Sequence, residues 1–475
     1  MKPVKWLLRG GVLLLLLIAP FALGAPASAA VDAPSVIHWP APEGITASAD
    51  TKVYVEGEAI FVYETAVNNQ RAFTEYPGLD QTPVALFDFE GSVNVEIHRE
   101  GIQSAVVRPL SLGIEVKVAD GVLSFTISGP AMLTIEFDGQ TSRALHLFAG
   151  APQAEAPSPD DENVIYFGPG IHVLPLVRVR SGQSVYLAGG AVLRSKIVAD
   201  KSQDIRIYGR GIIDGSTYNR WTQRMVPIDL NLCKGVTIEG ITILDPAGWT
   251  VNTFACSDVA IQDVKIISAR PNSDGFTAQS CQNYVAQDCF VRSWDDSLVV
   301  KNYGNGISHD IEFRNMILWT DLAQSCEIGY ETRGPEIYNV TFENITVLHN
   351  FHKPVMSIHN SDHANVHNIL YRNIVVEDAQ MGQGDGKNDN FLIDLTIAPS
   401  VWTQSRERGR IFNIRFENIT VLDGKFPPSR FMGFDAEHKI DGVDIENLTI
   451  LGQRILTPED GRFMILPYAD NIFVQ

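Results

Sequence analysis

Three aspartates in this chain stand where carboxylates could act together: Asp274, in Asn272-Ser273-Asp274, and the pair Asp295 and Asp296, which follow it by 21 and 22 residues. If that spacing is one turn of a coiled chain, residues distant in sequence become neighbours about 4.8 Å apart on one face. Carboxylates that close repel one another, so at least one takes a raised pKa and keeps a proton at working pH. A protonated carboxyl beside ionised ones suits glycosidic-bond hydrolysis: an acid for the leaving oxygen, and a base for water or a nucleophile for direct attack. The same residues could instead make turns, as Asx residues commonly do, or offer oxygen ligands to calcium. Composition alone does not choose between them.

The elements that would position them appear when short apolar segments are aligned on their central polar residue. They begin at Ile205, Val236, Val259, Tyr284, Ile311, Val340, Ile369, Ile414 and Val443, and read Ile-Arg-Ile-Tyr-Gly, Val-Thr-Ile-Glu-Gly, Val-Ala-Ile-Gln-Asp and so on to Val-Asp-Ile-Glu-Asn. Successive starts differ by 31, 23, 25, 27, 29, 29, 45 and 29 residues, the range in which self-similarity marks a solenoid. The long step is expected to hold an insertion near Gly382 to Asn390. Within each segment apolar and polar residues alternate with period two, and Val, Ile, Thr and Phe dominate, so each is a strand. One short strand cannot bury its own apolar face and must stack on the next, which predicts a parallel β-helix. The Asn or Asp after each strand (Asp263, Asp288, Asn315, Asn344, Asn373, Asn418, Asn447) suits a tight left-handed bend.

The chain ends and composition bound the rest. With 475 residues it can hold two domains. Residues 1–29 have a basic start (Lys2, Lys5, Arg9), an apolar run from Val12 to Leu23 and a small-residue site Ala27-Ser28-Ala29, the layout of a secretory signal peptide. Export is therefore expected, with no membrane attachment after cleavage. Residues 30–148 carry short alternating runs such as Lys52-Val-Tyr-Val and Leu133-Thr-Ile-Glu-Phe, which predict an antiparallel β-sandwich. Residues 149–163, rich in Pro, Ala and acid, read as a linker, and 164–475 as the coil. The formal charge of −19 becomes −22 once the three basic residues of the leader are removed, which disfavours nucleic acid as a partner. The five cysteines (Cys233, Cys256, Cys281, Cys289, Cys326) read as mostly small core residues, with one disulfide possible. No Cys/His spacing resembles a zinc site, so no metal is expected.

The order Asn-Ser-Asp then Trp294-Asp295-Asp296 resembles the Asn-Thr-Asp and Asp-Asp motifs of family 28 glycoside hydrolases, the polygalacturonases. It also resembles the dextranase and isopullulanase group, family 49, in which a β-sandwich precedes a right-handed β-helix. The likeness implies an all-β fold of that kind and inverting hydrolysis of a polysaccharide without a cofactor. It makes Asp295 the general acid, with Asp274 and Asp296 holding and deprotonating the attacking water. Two departures bear on the substrate. Where polygalacturonases have Gly-His-Gly, this chain reads Asp321-Leu-Ala-Gln-Ser-Cys-Glu-Ile-Gly; where they have Arg-Ile-Lys for the substrate carboxylate, it has Ser357-Ile358-His359. A neutral polysaccharide, such as an α-glucan, is therefore expected ahead of polygalacturonate, although Lys301, Arg333 and Lys353 could supply local positive charge.

Substrate contacts are expected from Trp249, Trp294, Tyr303 and Tyr330, whose rings could pack on sugars or be core. Lys301, Glu327 and His359 join them on the same face, with His363 and Asp362 at its end. The protein is expected to act as a monomer. A β-helix polysaccharide lyase, which would need a basic residue to remove a proton α to a uronate carboxyl, and a non-catalytic carbohydrate binder are the competing readings.

Overall fold

The computed structural model describes residues 34–40, 42–69, 74–153, 156–223, 225–380 and 390–475. The stretch read as a signal peptide and the Gly382–Asp389 part of the insertion lie outside these residues. Pro34–Gln475 forms one compact unit.

The first part is a sandwich of a six-stranded and a five-stranded sheet. Alternating residues of Val93–His98 and Val122–Ile127 point inward, and Val95, Ile97, Leu123, Phe125, Leu133 and Leu147 close its core. One pairing departs from the antiparallel expectation. The two long strands Asp80–Glu90 and Gln140–Gly150 run parallel, with His146 opposite Val84, because the chain between them crosses to the second sheet and returns. The last strand also continues through Gly150, two residues into the stretch read as a linker.

From Val164 the chain coils. One flank is a 19-stranded sheet and the other an 11-stranded, all-parallel sheet running from Val177–Arg178 through Val251–Phe254, Phe276–Gln279, Leu298–Asn302, Cys326–Thr332 and Met356–Asn360 to Phe463–Ile465. The expected parallel β-helix is thus observed. Inside it like residues stack, as in Tyr284, Phe313, Phe342, Tyr371 and Phe416, with ring centroids 5.7, 5.3, 4.9 and 4.8 Å apart. All five cysteines are buried free thiols in this interior, so the possible disulfide does not form.

The Asx ladder has the backbone its residues favour. Asp263, Asp288, Asn315, Asn344, Asn373, Asn418 and Asn447 all have φ between 53° and 60°, a region that Asn and Asp tolerate better than other side chains. Each amide also donates to the turn before it: Asn344 to Asn315 (3.2 Å), Asn373 to Asn344 (2.9 Å), Asn418 to Asn373 (2.8 Å) and Asn447 to Asn418 (2.7 Å). Asn373→Ala loses the ladder bonds and meets the left-handed penalty together, and is expected to lower stability by about 1–2 kcal/mol. Asn373→Gly keeps the conformation and should cost less in chemical denaturation; equal losses would show that only the hydrogen bonds matter.

The sandwich is fastened to the coil behind the turns that carry the aspartates. Tyr63, Val84 and Phe148 share a core cluster with Phe290, Trp319 and Leu348. Within it the fully buried Arg292 pairs with Asp321 (3.2 Å), lies over the Trp319 ring (4.0 Å) and meets His146 of the sandwich (3.3 Å). Arg292 stands three residues before Asp295. The sandwich, which carries no chemical motif, therefore buttresses the turn that carries Asp295 and Asp296.

Candidate active site

The aspartates lie on the corner loops that lead into the 11-stranded sheet. Phe276 pairs with Leu298, so by register Asp274 sits directly over Asp296, and Gly275 N–H donates to the Asp296 carbonyl (2.8 Å). The same register continues in both directions. Val251 pairs with Phe276 and Leu298 with Cys326, giving a column Trp249, Asp274, Asp296, Gln324 on successive turns. A chain of hydroxyls ties the corners together. Ser293 Oγ donates to the Asp295 carbonyl (2.7 Å) and lies 2.7 Å from Ser297 Oγ, which meets Thr320 (2.7 Å), which in turn meets Ser325 (2.8 Å).

Asp295 is the most open of the three carboxylates. Its Oδ2 accepts the N–H of Asn272 (3.0 Å) and its Oδ1 that of Asp296 (3.2 Å). Asn272 reaches that position with φ 56°. Asp296 Oδ1 accepts the Gln324 N–H (3.2 Å). Lys301, at the floor, lies 3.5 Å from Asp274 and 3.3 Å from Glu331, and its ammonium faces the Trp249 ring at 5.3 Å.

Burial pushes the Asp274 carboxyl up to about 7, and Asp295 and Glu331 add to the rise while Lys301 opposes it. Asp296 is held well above the ordinary carboxylate range by burial, then by Asp274 and Asp295. Burial also works against the charge on Lys301, but Glu331 and Asp274 outweigh it and keep the ammonium protonated. At neutral pH the cluster therefore stores a proton, which belongs to the coupled carboxyls together and not to one of them.

The raised value of Asp274 has a consequence for stability. The folded state binds its proton more tightly than the unfolded chain, so the stability it contributes is full below pH 3.8 and is lost as pH rises to about 7. Asp274→Asn removes the buried charge and is expected to stabilise the fold by about 2 kcal/mol at pH 8 and not at pH 4. Chemical denaturation at the two pH values checks this, and a gain of equal size at both would refute it.

Two adjoining hollows of about 510 and 530 Å³ make one cleft over this floor, sharing Trp249, Asn272, Glu331 and Trp402. The first holds the three aspartates with Lys301, Gln324, Tyr330 and Lys353; the second is lined by Tyr303, Arg220, Asn252 and Gln279. Trp249, Lys301, Tyr303 and Tyr330 thus all line the cleft, as their positions in the repeat suggested.

Three expected contacts do not reach it. Trp294 is 0% exposed, because its side chain turns inward at the corner just before the partly open Asp295 and leaves the ring no face for a sugar. Glu327 is likewise 0% exposed. It hydrogen-bonds Ser357 and His359 (2.8 Å), and His359 also meets Asp394 (3.1 Å), which pairs with Arg430 (2.7 Å). Burial opposes the charge on His359, but Glu327 and Asp394 push its pKa up to about 10. This imidazolium stacks under Tyr330 with centroids 4.3 Å apart, so Glu327 and His359 support the floor from behind. His363 bonds Ser405 (3.1 Å) and Asp362 accepts the Gln404 and Ser405 N–H groups (2.7 and 2.6 Å); both hold the loop that carries Trp402.

Sequence reading missed Asn272, Gln324, Glu331 and Trp402. Gln324 could have been found by counting one turn on from Asp296. Glu331 could not, since a bulge sets four residues, Gly329 to Thr332, against two, Lys301 and Asn302. Gly329 makes that bulge possible, with φ 128° and a position where a Cβ would lie 2.3 Å from the His359 carbonyl.

Residues 184–420 match the family model described as glycosyl hydrolases family 28. Over that span the coil is similar to family 28 of the glycosyl hydrolases. Among curated relatives, a "Probable polygalacturonase" of Vitis vinifera is 27% identical over 138 residues, covering 26% of this chain and 28% of its own. "Probable exopolygalacturonase B" of Aspergillus terreus is 26% identical over 248 residues, covering 46% and 54%. The chain therefore spans 28% and 54% of the length of these two relatives. Among solved structures, Dex49A from Penicillium minioluteum superposes with a TM-score of 0.65 at 16% identity, over 92% of this chain and 96% of that one. That likeness is one of fold and includes the sandwich as well as the coil. Among the described residues no helix is long and apolar enough to cross a membrane.

Proposed function

We propose that this protein is an exported, monomeric polysaccharide hydrolase of the family 28 kind that cleaves an O-glycosidic bond of a neutral polysaccharide, such as an α-glucan, with inversion. The observation that carries the reading is the in-register stacking of Asp274 on Asp296 with the more open Asp295 beside them. In this mechanism Asp295 protonates the leaving oxygen. Asp274 and Asp296 hold a water molecule, and as the bond breaks the pair takes its proton, which the raised affinity of the buried carboxyls favours. Lys301 limits the mutual repulsion of the pair, and no step draws on a cofactor.

Support for a neutral substrate comes from the cations. His359, in the place of the substrate-binding lysine, is buried between Glu327 and Asp394, and Lys301 is bracketed by Asp274 and Glu331. The second reading is hydrolysis of polygalacturonate, favoured by the names of the curated relatives and by Lys353 in the cleft.

Incubating the purified protein with dextran, pullulan and polygalacturonate separates the two readings by the reducing ends released. Proton NMR at early times should show the inverted anomer, and a retained anomer would remove the water-activating role of the pair. An unsaturated product absorbing in the ultraviolet would instead establish a lyase.

A further inference from the structure

We propose that the second hollow is a subsite for one uncharged, hydroxyl-rich pyranose unit of the polymer, read by an oriented ladder of amides and covered by Trp402. The proposal rests on the hydrolase reading above and adds to it the chemistry of a neighbouring sugar unit.

The ladder begins at Asp229, whose Oδ1 accepts from Asn252 Nδ2 (2.8 Å). That bond uses the amide nitrogen of Asn252 and so sets its carbonyl oxygen toward the next turn. There Asn252 Oδ1 accepts from Gln279 Nε2 (2.5 Å). Both amides are more than nine-tenths buried, and their orientation propagates from Asp229 to the floor of the hollow. Gln279 is left with its carbonyl oxygen and one N–H directed at that space. Asn231 precedes Gln279 in the same column through Phe254 and lines the hollow as well. Primary amides both donate and accept, as sugar hydroxyls do, so they match a neutral pyranose without bringing charge.

A uronate would fare poorly here. Its carboxylate would share the hollow with Glu331, and among the described residues the nearby cations are already engaged. The Arg220 guanidinium is bonded to the Pro271 carbonyl (2.5 Å) and to Asn272 Oδ1 (2.5 Å), and Lys301 is bracketed as described.

Trp402 gives the hollow its upper wall. The ring is 51% exposed, although its loop is tied down through Asp362 and by a Ser361 to Ser400 bond (3.0 Å). An exposed indole on an anchored loop presents a rigid apolar face at low entropic cost, and the C–H face of a pyranose is its natural complement.

The test uses full-length Asp295→Asn protein, so that bound sugars stay intact. Neutral gluco-oligosaccharides and galacturonate oligosaccharides of matched length are titrated into it by calorimetry. The neutral series is expected to bind more tightly than the acidic one, and adding Trp402→Ala or Gln279→Ala should weaken it about tenfold. In the otherwise wild-type enzyme, Trp402→Ala should raise KM by about that factor with kcat within about threefold. Trp402 is on the surface, so this variant reads the subsite even if Gln279→Ala fails to fold. Tighter binding of the galacturonate series, no binding by either series, or affinities within about twofold of the parent in Trp402→Ala would each overturn the proposal. If the neutral series binds through Trp402 while the wild-type protein hydrolyses nothing, the subsite stands and the hydrolase reading falls. If hydrolysis occurs and KM ignores Trp402, the reverse holds.

Discussion

Asp295→Asn is expected to lower kcat by about 10³-fold, with KM changed by less than about threefold. The amide fills the same space and can still accept one of the two backbone N–H groups that now bond Asp295, from Asn272 and Asp296. The fold should therefore survive, all the more because Asp295 is the most open carboxyl of the set. What the amide lacks is an acidic proton. The loss should depend on the leaving group: an aryl glycoside that departs without protonation should be hydrolysed at nearly the parent rate, while the natural polymer is not. Asp274→Asn and Asp296→Asn should show no such rescue, because water activation is needed for either substrate. Measuring the three variants against both substrates separates the roles. An equal loss for Asp295→Asn on both substrates would mean that it is not the acid. Substrate binding has a definite task here. The stored proton is held by the buried pair, so it must reach Asp295 within the coupled cluster as the sugar displaces water.

The parts of this arrangement that the sequence reveals are those enforced by a local rule. Left-handed bends select Asn and Asp, so Asn315, Asn344, Asn373, Asn418 and Asn447 mark each turn and fix the repeat. The repeat then brings Asp274 over Asp296. Features that depend on register across uneven turns escape, because steps of 23 to 45 residues hide which side chains share a column. The amide ladder of Asp229, Asn252 and Gln279 is of this kind, as is the bulge that brings Glu331 to Lys301. Inward or outward facing at a corner escapes too, since alternation holds only within a strand; hence Trp294, flanked by polar residues, could be read as a sugar contact or as core, and it is core. The contact of Arg292, itself paired with Asp321, to His146 joins the coil to the sandwich across 146 residues of sequence and has no signature in either segment.

Lys301→Met should separate charge from packing at the floor of the cleft. The methionine replaces most of the buried stem but not the ammonium that lies within 3.5 Å of both Asp274 and Glu331. A nearby cation favours the ionised carboxyl, so its loss raises the pKa of Asp274 above the present value of about 7. If Asp274 and Asp296 must be able to take the proton of water, the acidic limb of the kcat/KM profile moves to higher pH by about one unit or more. At pH 6 activity should fall at least about tenfold, with part of it recovered at pH 9. Stability should follow the same logic in reverse. Removing one partner of a buried ion pair costs about 3–5 kcal/mol where the carboxyls stay ionised, but at pH 5 they can take up protons instead, so the loss should shrink there. Lys301→Arg keeps the charge and should leave the profile near its original position even if the larger head group lowers kcat. A Lys301→Met profile that falls uniformly without shifting would show that the lysine acts by shape, and would detach the proton affinity of the carboxyl pair from the chemistry proposed for it.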